Sequence, residues 1–430
     1  MSNEFEMKVN LWKDFPLSDL VDCLDGARRP IKKEDRENIA GGYPYYGASG
    51  IIDFVNDYIF DEELILLGED GENVVSRNLP LAFKITGRNW VNNHAHVLKP
   101  KRNHDIDFLV YKLESRDYTD IISGSAQPKI NQQNLMKLIF RVPEHRPEQC
   151  QIAKILSTAD AVIEKTQATI AKYKAIKQGM LHDLFIRGID ISTGKLRPKY
   201  EDAPDLYKES KLGWVPKEWE VEEIGNIVHI KHGYSFEGKY FSNEKSEFIL
   251  LTPGNFNVDG SLYFQERNTK YYLGEIPAEY IFENGDLLIV MTDLTQDMNI
   301  LGNVVKLESP LKVLHNQRIG KLELLNDDFD KDYLLFILNT FYSKDNIKKT
   351  ATGTTVRHTS PNHIYKGIIP TPTIKEQKTI AERITLINRK LLSEQNYLLK
   401  LQRIKAGLMN DLLSRRKNVT VKESSEIITS

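Results

Sequence analysis

The chain has 430 residues, of which 40% are hydrophobic and 27% are charged, and its formal net charge at pH 7 is −2. This composition is ordinary for a folded protein, and the length favours two or more domains. Two cysteines in a chain of this length exclude a disulfide framework and a cysteine-rich zinc site. No apolar run reaches the roughly 18 residues of a membrane-spanning helix. The first stretch, MSNEFEMKVNLWKDF, lacks the apolar core of a signal peptide, so we expect a cytoplasmic protein.

Residues 1–147 alternate short apolar runs with turn residues, which predicts an α+β domain. The runs GIIDFVNDYIF, ELILLGEDG and LAFKIT are typical of short strands. GASG (47–50) has too few glycines and no following lysine for a phosphate-binding loop, so it predicts a turn.

Two other stretches of this part could indicate a metal site. GEDGE (68–72) groups three carboxylates, but a polar hairpin turn after a strand is the preferred interpretation. His94 and His96, with His104 nearby, lack an organised third ligand, so we interpret them as surface or loop histidines.

The stretch Glu148–Phe185 recurs at Glu376–Leu413. The copies are 228 residues apart, need no gap and are identical at 11 of 38 positions, which indicates a duplication. Apolar residues recur at steps of three and four in both copies, so each predicts a helix with one apolar stripe. Such a helix is about 57 Å long, a length typical of a coiled coil.

We predict that the two stripes pack against each other as an antiparallel pair related by a pseudo-two-fold axis. The alternative, in which each helix packs only on its own domain, is disfavoured by the helix length. The residues expected at this packing are Ile152, Ala159, Tyr173, Ile176, Ile380, Ile387, Leu401 and Ile404.

Composition places the other boundaries. Residues 148–187 form the first long helix, and residues 188–215, rich in Gly, Pro and charge, predict a linker. Residues 216–370 form a second α+β part, with strands in DLLIVMTD and IGKLELL and a buried amphipathic helix over 330–343. The second long helix takes residues 371–415, and residues 416–430 are predicted to be a disordered tail.

The two globular parts begin and end alike. Phe15-Pro-Leu17-Ser-Asp-Leu20 has the pattern of Trp219-Glu-Val221-Glu-Glu-Ile224, and each part ends in an Ile/Pro segment that leads into a Glu-Gln dipeptide. Between these landmarks the two parts do not align. We therefore expect a repeated frame that carries two diverged globular domains.

Four stretches carry a resemblance to a known family. In chain order they resemble target-recognition domains and conserved spacer regions of the specificity (S) subunit of type I restriction-modification systems, over nearly the whole chain. These stretches are PYYGASGIIDFVNDYIFDEELILLGEDG (44–71), GWVPKEWEVEEIGNIV (213–228), GTTVRHTSPNHIYKGIIPTPTIKEQ (353–377) and the doubled EQ…IA…IK.G…DL.

The resemblance implies an α+β fold in which two target-recognition domains, residues 1–147 and 216–370, are separated by a pair of long antiparallel coiled-coil helices. It implies that each domain reads one half of an asymmetric bipartite site in double-stranded DNA. The helices would set the spacing of the half-sites and dock two methyltransferase (M) subunits, and restriction/translocase (R) subunits would join the complex.

The same resemblance implies a non-catalytic chain without a metal or cofactor of its own. S-adenosylmethionine, ATP and Mg²⁺ would belong to the partner subunits. The residues agree, because the chain has neither a Pro-Pro dipeptide, which an amino-methyltransferase motif requires, nor a P-loop.

DNA-contacting residues are expected among exposed basic, hydroxyl, amide and aromatic side chains in loops, which hold phosphates or read base edges. In the first domain the candidates are Lys84, Thr86, Arg88, Lys99, Lys101 and Arg102. In the second domain they are Lys231, His232, Tyr234, Ser235, Gln317, Arg318, Thr354, Thr355 and Arg357.

Alternatives from other classes stay open. Residues 371–417 contain eleven Lys or Arg against four Asp or Glu, which suits a solvated helical face, a phosphate contact or a methyltransferase contact. The chain could also be a coiled-coil adaptor that joins two protein-binding domains without DNA. A self-contained methyltransferase or nuclease is disfavoured by the missing motifs, and a specificity subunit of a related defence system is not distinguished.

Overall fold

The computed structural model of the protein describes residues 11–124 and 127–419, which form two compact units. Among the described residues, the first unit comprises the chain up to residue 169 and again from residue 394, and the second comprises residues 170–393. Each unit therefore holds one globular α+β part and a segment of both long helices. No helix in the described ranges is both long enough and apolar enough to cross a membrane.

Within the described ranges, the globular part of the first unit contains twelve strands and five short α-helices and leads into a long sixth α-helix. In chain order these elements are β1 (Trp12–Pro16), α1 (Leu17–Leu20), β2 (Val21–Cys23), α2 (Lys33–Glu37), β3 (Ala40–Gly47), β4 (Gly50–Val55), β5 (Phe60–Asp61), β6 (Leu64–Gly68), α3 (Asn73–Ser76), β7 (Ala82–Ile85), β8 (Arg88–Val91), β9 (Ala95–Pro100), α4 (Ile106–Glu114), β10 (Ile122–Ser123), β11 (Lys129–Ile130), α5 (Gln132–Lys137), β12 (Ile139–Pro143) and α6 (Arg146–Ile186).

The chain continues through sixteen strands and three short helices to the second long helix. These elements are β13 (Ile189–Asp190), β14 (Lys195–Leu196), β15 (Tyr207–Ser210), β16 (Gly213–Pro216), β17 (Glu220–Glu223), β18 (Val228–His232), β19 (Phe241–Ser242), β20 (Phe248–Leu250), β21 (Lys270–Tyr272), β22 (Leu287–Val290), β23 (Thr292–Asp293), β24 (Val304–Lys306), β25 (Lys312–Leu314), β26 (Ile319–Leu324), α7 (Lys331–Ile337), α8 (Phe341–Thr350), β27 (Arg357–His358), α9 (Pro361–Tyr365), β28 (Ile368–Thr371) and α10 (Ile374–Leu413).

The first unit is built on a central antiparallel sheet with the strand order β2-β9-β6-β7. All five residues of β6 are buried, which explains why its sequence is a continuous apolar run. A second four-stranded sheet, β4-β3-β8-β5, contains the parallel pair β3 and β8, and β1 pairs with β12. These strands confirm the predicted α+β class.

The second unit repeats the central sheet strand for strand, with the order β18-β26-β22-β24, and β17 pairs with β28 as β1 does with β12. Its second sheet, β19-β21-β20-β25, also contains a parallel pair, β20 and β25, but its edge strand β19 lies beside β21, whereas β5 of the first unit lies beside β8. The expectation that only the frame is repeated is therefore wrong. The globular parts share the central sheet, and they have diverged in the edge strands, the loops and the surface residues.

A buried tryptophan joins each globular part to the first turn of its long helix. The indole Nε1 of Trp12 donates to Glu148 Oε1 at 2.9 Å, and that of Trp219 donates to Glu376 Oε2 at 3.1 Å. The counterpart of Trp219 is thus Trp12. The sequence comparison had matched Trp219 with Phe15 instead. The alignment failed because it matched apolar patterns, whereas the structural match depends on one hydrogen bond.

The glutamine next to each glutamate makes a second equivalent link. Gln149 Oε1 accepts from the backbone N–H of Asp105 at 2.8 Å, and Gln377 Oε1 accepts from that of Asp330 at 2.8 Å. These two aspartates cap α4 and α7 through their side chains. In each unit, this hydrogen bond between the glutamine side chain and the aspartate backbone therefore fixes the short core helix to the start of the long helix.

Glu376 has a richer environment than Glu148. Its carboxylate is 1% exposed and also accepts from Ile189 N and from both terminal nitrogens of Arg197. Gly188, with a φ of +59°, allows this close approach, since a Cβ there would lie 2.2 Å from both Glu376 Oε1 and Trp219. Residues 188–215 are therefore not a bare linker but two hairpins, β13–β14 and β15–β16, tied into the second unit.

The long helices α6 and α10 contact each other in an antiparallel sense within both units. In the first unit Lys405 Nζ lies 2.5 Å from Asp160 Oδ1. In the second unit Lys390 Nζ lies 5.9 Å from the ring centre of Tyr173. Residue numbers fall along α10 as they rise along α6, which confirms the predicted antiparallel pair.

The apolar residues expected at the helix pair have unequal burial. Ile152 and Ile380 lie in the cores of their units, with 1% and 0% exposure, and Ala159, Tyr173, Ile387 and Leu401 are half-buried. The prediction is wrong for Ile176 and Ile404, which are 44% and 46% exposed. The apolar stripe drifts around each helix along its length. Ile176 and Ile404 occupy equivalent positions of the duplication, and both face outward.

Two further expectations change at this level. Residues 330–343 do not form one helix, because α7 ends at Ile337 and α8 begins at Phe341. Of the predicted tail 416–430, residues 420–430 lie outside the described residues. Partly buried Val419 packs against the first unit's core.

Replacing Glu376 with alanine is expected to destabilise the second unit by about 3–5 kcal/mol, because it strips a buried arginine of its main partner. The matched Glu148→Ala change should cost the first unit only about 1–3 kcal/mol, since it leaves an indole N–H unpaired. Urea dependence of hydrogen exchange, read separately for each unit, measures both. Equal losses in the two variants would contradict the asymmetry.

Candidate nucleic-acid interface

The central sheet of each unit has two ends that differ in charge. In the first unit, end A is where β2 and β6 end and β9 begins. In the second unit, it is where β18 and β22 end and β26 begins. End B is the opposite end, where β9 or β26 finishes and β6 or β22 begins. This definition follows the antiparallel pairing of the strands.

The candidates of the second unit lie at end A. Lys231 and His232 are the last residues of β18, and Tyr234 and Ser235 follow after Gly233. The backbone of Gln317 donates to Tyr234 O at 3.1 Å. The exit of β18 therefore lies against the turn that carries Gln317 and Arg318.

The loop that carries Thr354, Thr355 and Arg357 reaches the same end. In the β23–β27 pair, Arg357 lies opposite Asp293. Met291 links the two segments, because its N–H donates to Arg318 O at 3.1 Å and its carbonyl accepts from Thr359 N at 3.0 Å. The structure thus gathers the candidates of the second unit on one surface.

A buried histidine packs beneath this surface. His315 is 1% exposed, and burial lowers its pKa to about 4. The neutral ring lies with Nε2 2.9 Å from Ile319 O, where an N–H on that nitrogen closes the turn at 315–319. Sequence reasoning missed this residue because nothing local distinguishes it from a surface histidine.

The exposed groups at end A of the second unit combine cations and aromatic rings. Lys231 Nζ lies 5.2 Å from the centre of the Tyr280 ring and donates to Glu279 O. Arg318 and His232 are exposed and make no ion pair among the described residues. Lys348 and Lys349, exposed at the end of α8, were not among the sequence candidates and lead directly into the Thr354–Arg357 loop.

The first-unit candidates do not lie at the equivalent place. Thr86, Lys99, Lys101 and Arg102 lie at or near end B, Lys84 is close by on β7, and Arg88 opens β8 in the second sheet, β4-β3-β8-β5. Four of these cations are paired with acidic side chains that are themselves 36–61% exposed. The pairs are Lys84–Asp107 at 2.8 Å, Arg88–Asp61 at 3.0 Å, Lys99–Glu62 at 2.5 Å and Lys101–Asp22 at 3.9 Å.

End A of the first unit carries a different network, built on buried carboxylates. Arg28 bridges Glu69 and Asp25, and Lys129 Nζ lies 2.9 Å from Glu69 Oε1. Burial opposes ionisation of both carboxyls. Hydrogen bonds from His96 to Asp25, and from Lys129 and Arg28 to Glu69, outweigh burial and lower both pKa values. Both carboxylates are therefore ionised at neutral pH.

Asp25, Glu69 and His96 lie close enough together to suggest a metal site, since one ligand atom from each falls within 4.8 Å of the others. The donor atoms are already engaged, however. His96 Nδ1 lies 2.6 Å from Asp25 Oδ2 and its Nε2 lies 3.0 Å from Ile130 O. With the positive charges of Arg28 and Lys129 also present, the group fits an ion-pair network and not a metal site.

Two interpretations made from the sequence are corrected here. His96 is a fully buried core residue and not a surface histidine. GEDGE (68–72) is not a hairpin turn but the connection from β6 to α3, with Glu69 buried. GASG (47–50) does form the predicted turn, between β3 and β4.

Comparison with known proteins decides the family. The model of the type I restriction modification DNA specificity domain matches residues 10–174 and 216–403. The chain belongs to this family. Each match begins at a globular part and runs into the long helix that follows it, so the family domain occurs twice in the chain.

Relatives and solved structures agree with this assignment. The type I restriction enzyme MjaVIII specificity subunit of Methanocaldococcus jannaschii is 24% identical over 95% of this chain and 93% of its own length. The putative MjaX specificity subunit of the same organism is 26% identical over 75% of this chain and 71% of its own length. The S subunit of a type I restriction-modification system from M. genitalium has the same fold, with a TM-score of 0.61, 16% identity and coverage of 97% and 99%.

For this specificity subunit we expect that neither EDTA nor added Zn²⁺ shifts the thermal midpoint of the first unit, because Arg28 and Lys129 occupy the carboxylates a metal would need. Differential scanning calorimetry of the full chain with each addition measures this. A midpoint that rises with one equivalent of Zn²⁺, and no longer rises in His96→Asn, would show a metal site instead.

Proposed function

We propose that this specificity subunit is the non-catalytic DNA-reading component of a type I restriction-modification complex. The supporting observation is the gathering of exposed cationic, amide and aromatic side chains at end A of a repeated domain that belongs to the DNA specificity family. Cations hold phosphates, and amide and guanidinium groups in loops read base edges.

The two domains are proposed to read different half-sites. Their central sheets have the same strand order, but the side chains on the loops differ: end A carries the buried Glu69 with its cations in the first unit and the exposed Arg318 in the second. Two readers with one frame and unlike loops would specify an asymmetric bipartite site in double-stranded DNA. The two long helices, about 60 Å each for 40 and 41 residues, would set the spacing between half-sites about one helical turn or more apart.

The helices are also proposed to dock two methyltransferase subunits. Ile176 and Ile404 occupy equivalent positions of the duplication and are both nearly half exposed. The duplication places the same exposed apolar residue on both helices, which suits two equivalent docking contacts. The complex would be cytoplasmic, restriction/translocase subunits would join it, and S-adenosylmethionine, ATP and Mg²⁺ would be bound by the partners.

A methylation map tests the proposed function. We expect a two-part methylated motif with a fixed internal gap when this chain is co-expressed with its methyltransferase subunit, and loss of that motif when the chain is omitted. Single-molecule sequencing of host DNA reads both half-sites at once. An unchanged methylome from an assembled complex, together with DNA affinity that does not depend on salt, would instead support the adaptor alternative.

The docking proposal predicts a separation of stability from assembly. Ile176→Asp and Ile404→Asp should each weaken binding of the methyltransferase subunit by roughly 10-fold or more, because a charge replaces an exposed apolar contact. The thermal midpoint of the isolated chain should change little. Ile152→Asp, which places a charge in the first unit's core, is the control and should unfold that unit. Sedimentation of the mixed subunits and calorimetry measure the two quantities, and full assembly of both exposed variants would contradict the docking sites.

A further inference from the structure

The turns before β9 and before β26 correspond residue by residue. Asn92-Asn93-His94 precedes Ala95 in the first unit, and Asn316-Gln317-Arg318 precedes Ile319 in the second. Ala95 lies opposite Gly68 at the end of β6, and Ile319 lies opposite Val290 at the end of β22. The two triplets therefore occupy the same register position at end A.

A local hydrogen bond repeats in both turns. Asn92 Oδ1 accepts from His94 N at 2.8 Å, and Asn316 Oδ1 accepts from Arg318 N at 3.2 Å. The first asparagine thus shapes the turn, and the next two residues are left exposed in each unit. Asn93 is the counterpart of Gln317, and His94 is the counterpart of Arg318.

The chemistry of these exposed pairs suits base edges. The primary amides of Asn93 and Gln317 each offer a donor and an acceptor, which is the pattern that pairs with adenine. His94 Nδ1 lies 2.9 Å from Asp70 Oδ1, and this contact fixes the ring while the side chain stays 47% exposed. Its Nε2 is then the polar atom available to a base or phosphate.

The charge at the two sheet ends favours end A in both units. At end A of the first unit the side chain of Lys129 is 49% exposed, whereas that of its partner Glu69 is 8% exposed, so the surface presents the cation. At end B the partner carboxylates Glu62, Asp107 and Asp22 are 36–61% exposed and face solvent beside their lysines.

End B of the second unit is more acidic still. Asp327 and Asp328 are exposed just after β26, and Asp332 is 40% exposed at the start of α7. Like charges there would repel a phosphate backbone. If the two equivalent domains bind one kind of ligand in one way, end B is excluded for both.

We propose that Asn93 and His94 are base-reading residues of the first domain, with Arg29 and Lys129 beside them as phosphate contacts. Lys84, Lys99, Lys101 and Arg102 do not take part in this surface. The proposal rests on the proposed DNA-reading function and names the surface that carries it out in the first half of the chain.

Arg29 lies next to this surface through its backbone. Its carbonyl accepts from Trp90 Nε1 at 2.6 Å, and the preceding Arg28 donates to Ala95 O at 2.8 Å, so the segment crosses the start of β9. The Arg29 side chain is exposed and makes no ion pair among the described residues. It can therefore approach a phosphate without breaking an existing contact.

The test compares matched variants of the full chain in complex with its methyltransferase subunit. Asn93→Ala and His94→Ala should relax discrimination at one or two base pairs of one half-site, by roughly 10- to 100-fold each, and leave the other half-site intact. Gln317→Ala and Arg318→Ala should relax the other half-site. The double change Arg29→Ala with Lys129→Ala should lower the salt slope of DNA affinity by about 2. The control is Lys99→Ala with Arg102→Ala, which removes two exposed cations from end B and should change neither motif nor slope.

The outcomes separate the two proposals. A bipartite motif in the wild type that is unchanged in Asn93→Ala and His94→Ala, or altered by the end B control, would overturn the assignment of end A while leaving the DNA-reading function in place. A wild-type complex with no two-part motif would overturn both. Thermal midpoints of all variants, together with Lys129→Arg as a charge-preserving variant, show whether any loss reflects unfolding.

Discussion

The buried Glu-Gln dipeptide in the first turn of each long helix is the interaction on which the rest of the structure depends. Glu148 and Glu376 lie where the helix dipole favours a negative charge, and each accepts an indole N–H from the start of its own globular part. Gln149 and Gln377 bind the backbone at the N-cap of the short core helices. A buried hydrogen bond to a charged acceptor contributes about 1.5–3 kcal/mol, so these few contacts fix the orientation of each reader on its helix.

The two copies of this junction differ in how many hydrogen bonds the buried glutamate accepts. Glu376 has Arg197, Ile189 and Trp219 as partners, and all three lie in the stretch between α6 and β17. Arg197 in turn reaches the exposed carboxylate of Glu218. The segment between the first long helix and the second globular part is therefore part of the second unit's core and not a flexible connection.

The two ends of the central sheet differ in surface charge. Where carboxylates are buried under cations, as Glu69 is under Lys129, the surface is basic and its side chains are held in place. Where carboxylates are exposed beside cations, as Glu62 is beside Lys99, the charges cancel at the surface. The same residue types therefore give a basic surface in one case and a surface without excess charge in the other. The burial of the acidic partner decides between the two.

The sequence by itself determined the duplication, the two long helices, the α+β class and the strands with clear apolar runs, namely β4, β6, β7, β22 and β26, because periodicity and apolar runs are local properties. It also placed Gln317, Arg318 and Arg357 on what the structure shows to be one surface. Its candidates in the two units lie at opposite ends of the central sheets, it did not single out the Asn93–His94 turn as the counterpart of Gln317–Arg318, and it put Ile176 and Ile404 inside the helix pair. Those features depend on strand order, on the register that sets Ala95 opposite Gly68, and on the drift of a helical stripe over some forty residues. They bring together residues far apart in the chain, so only the tertiary structure decided them.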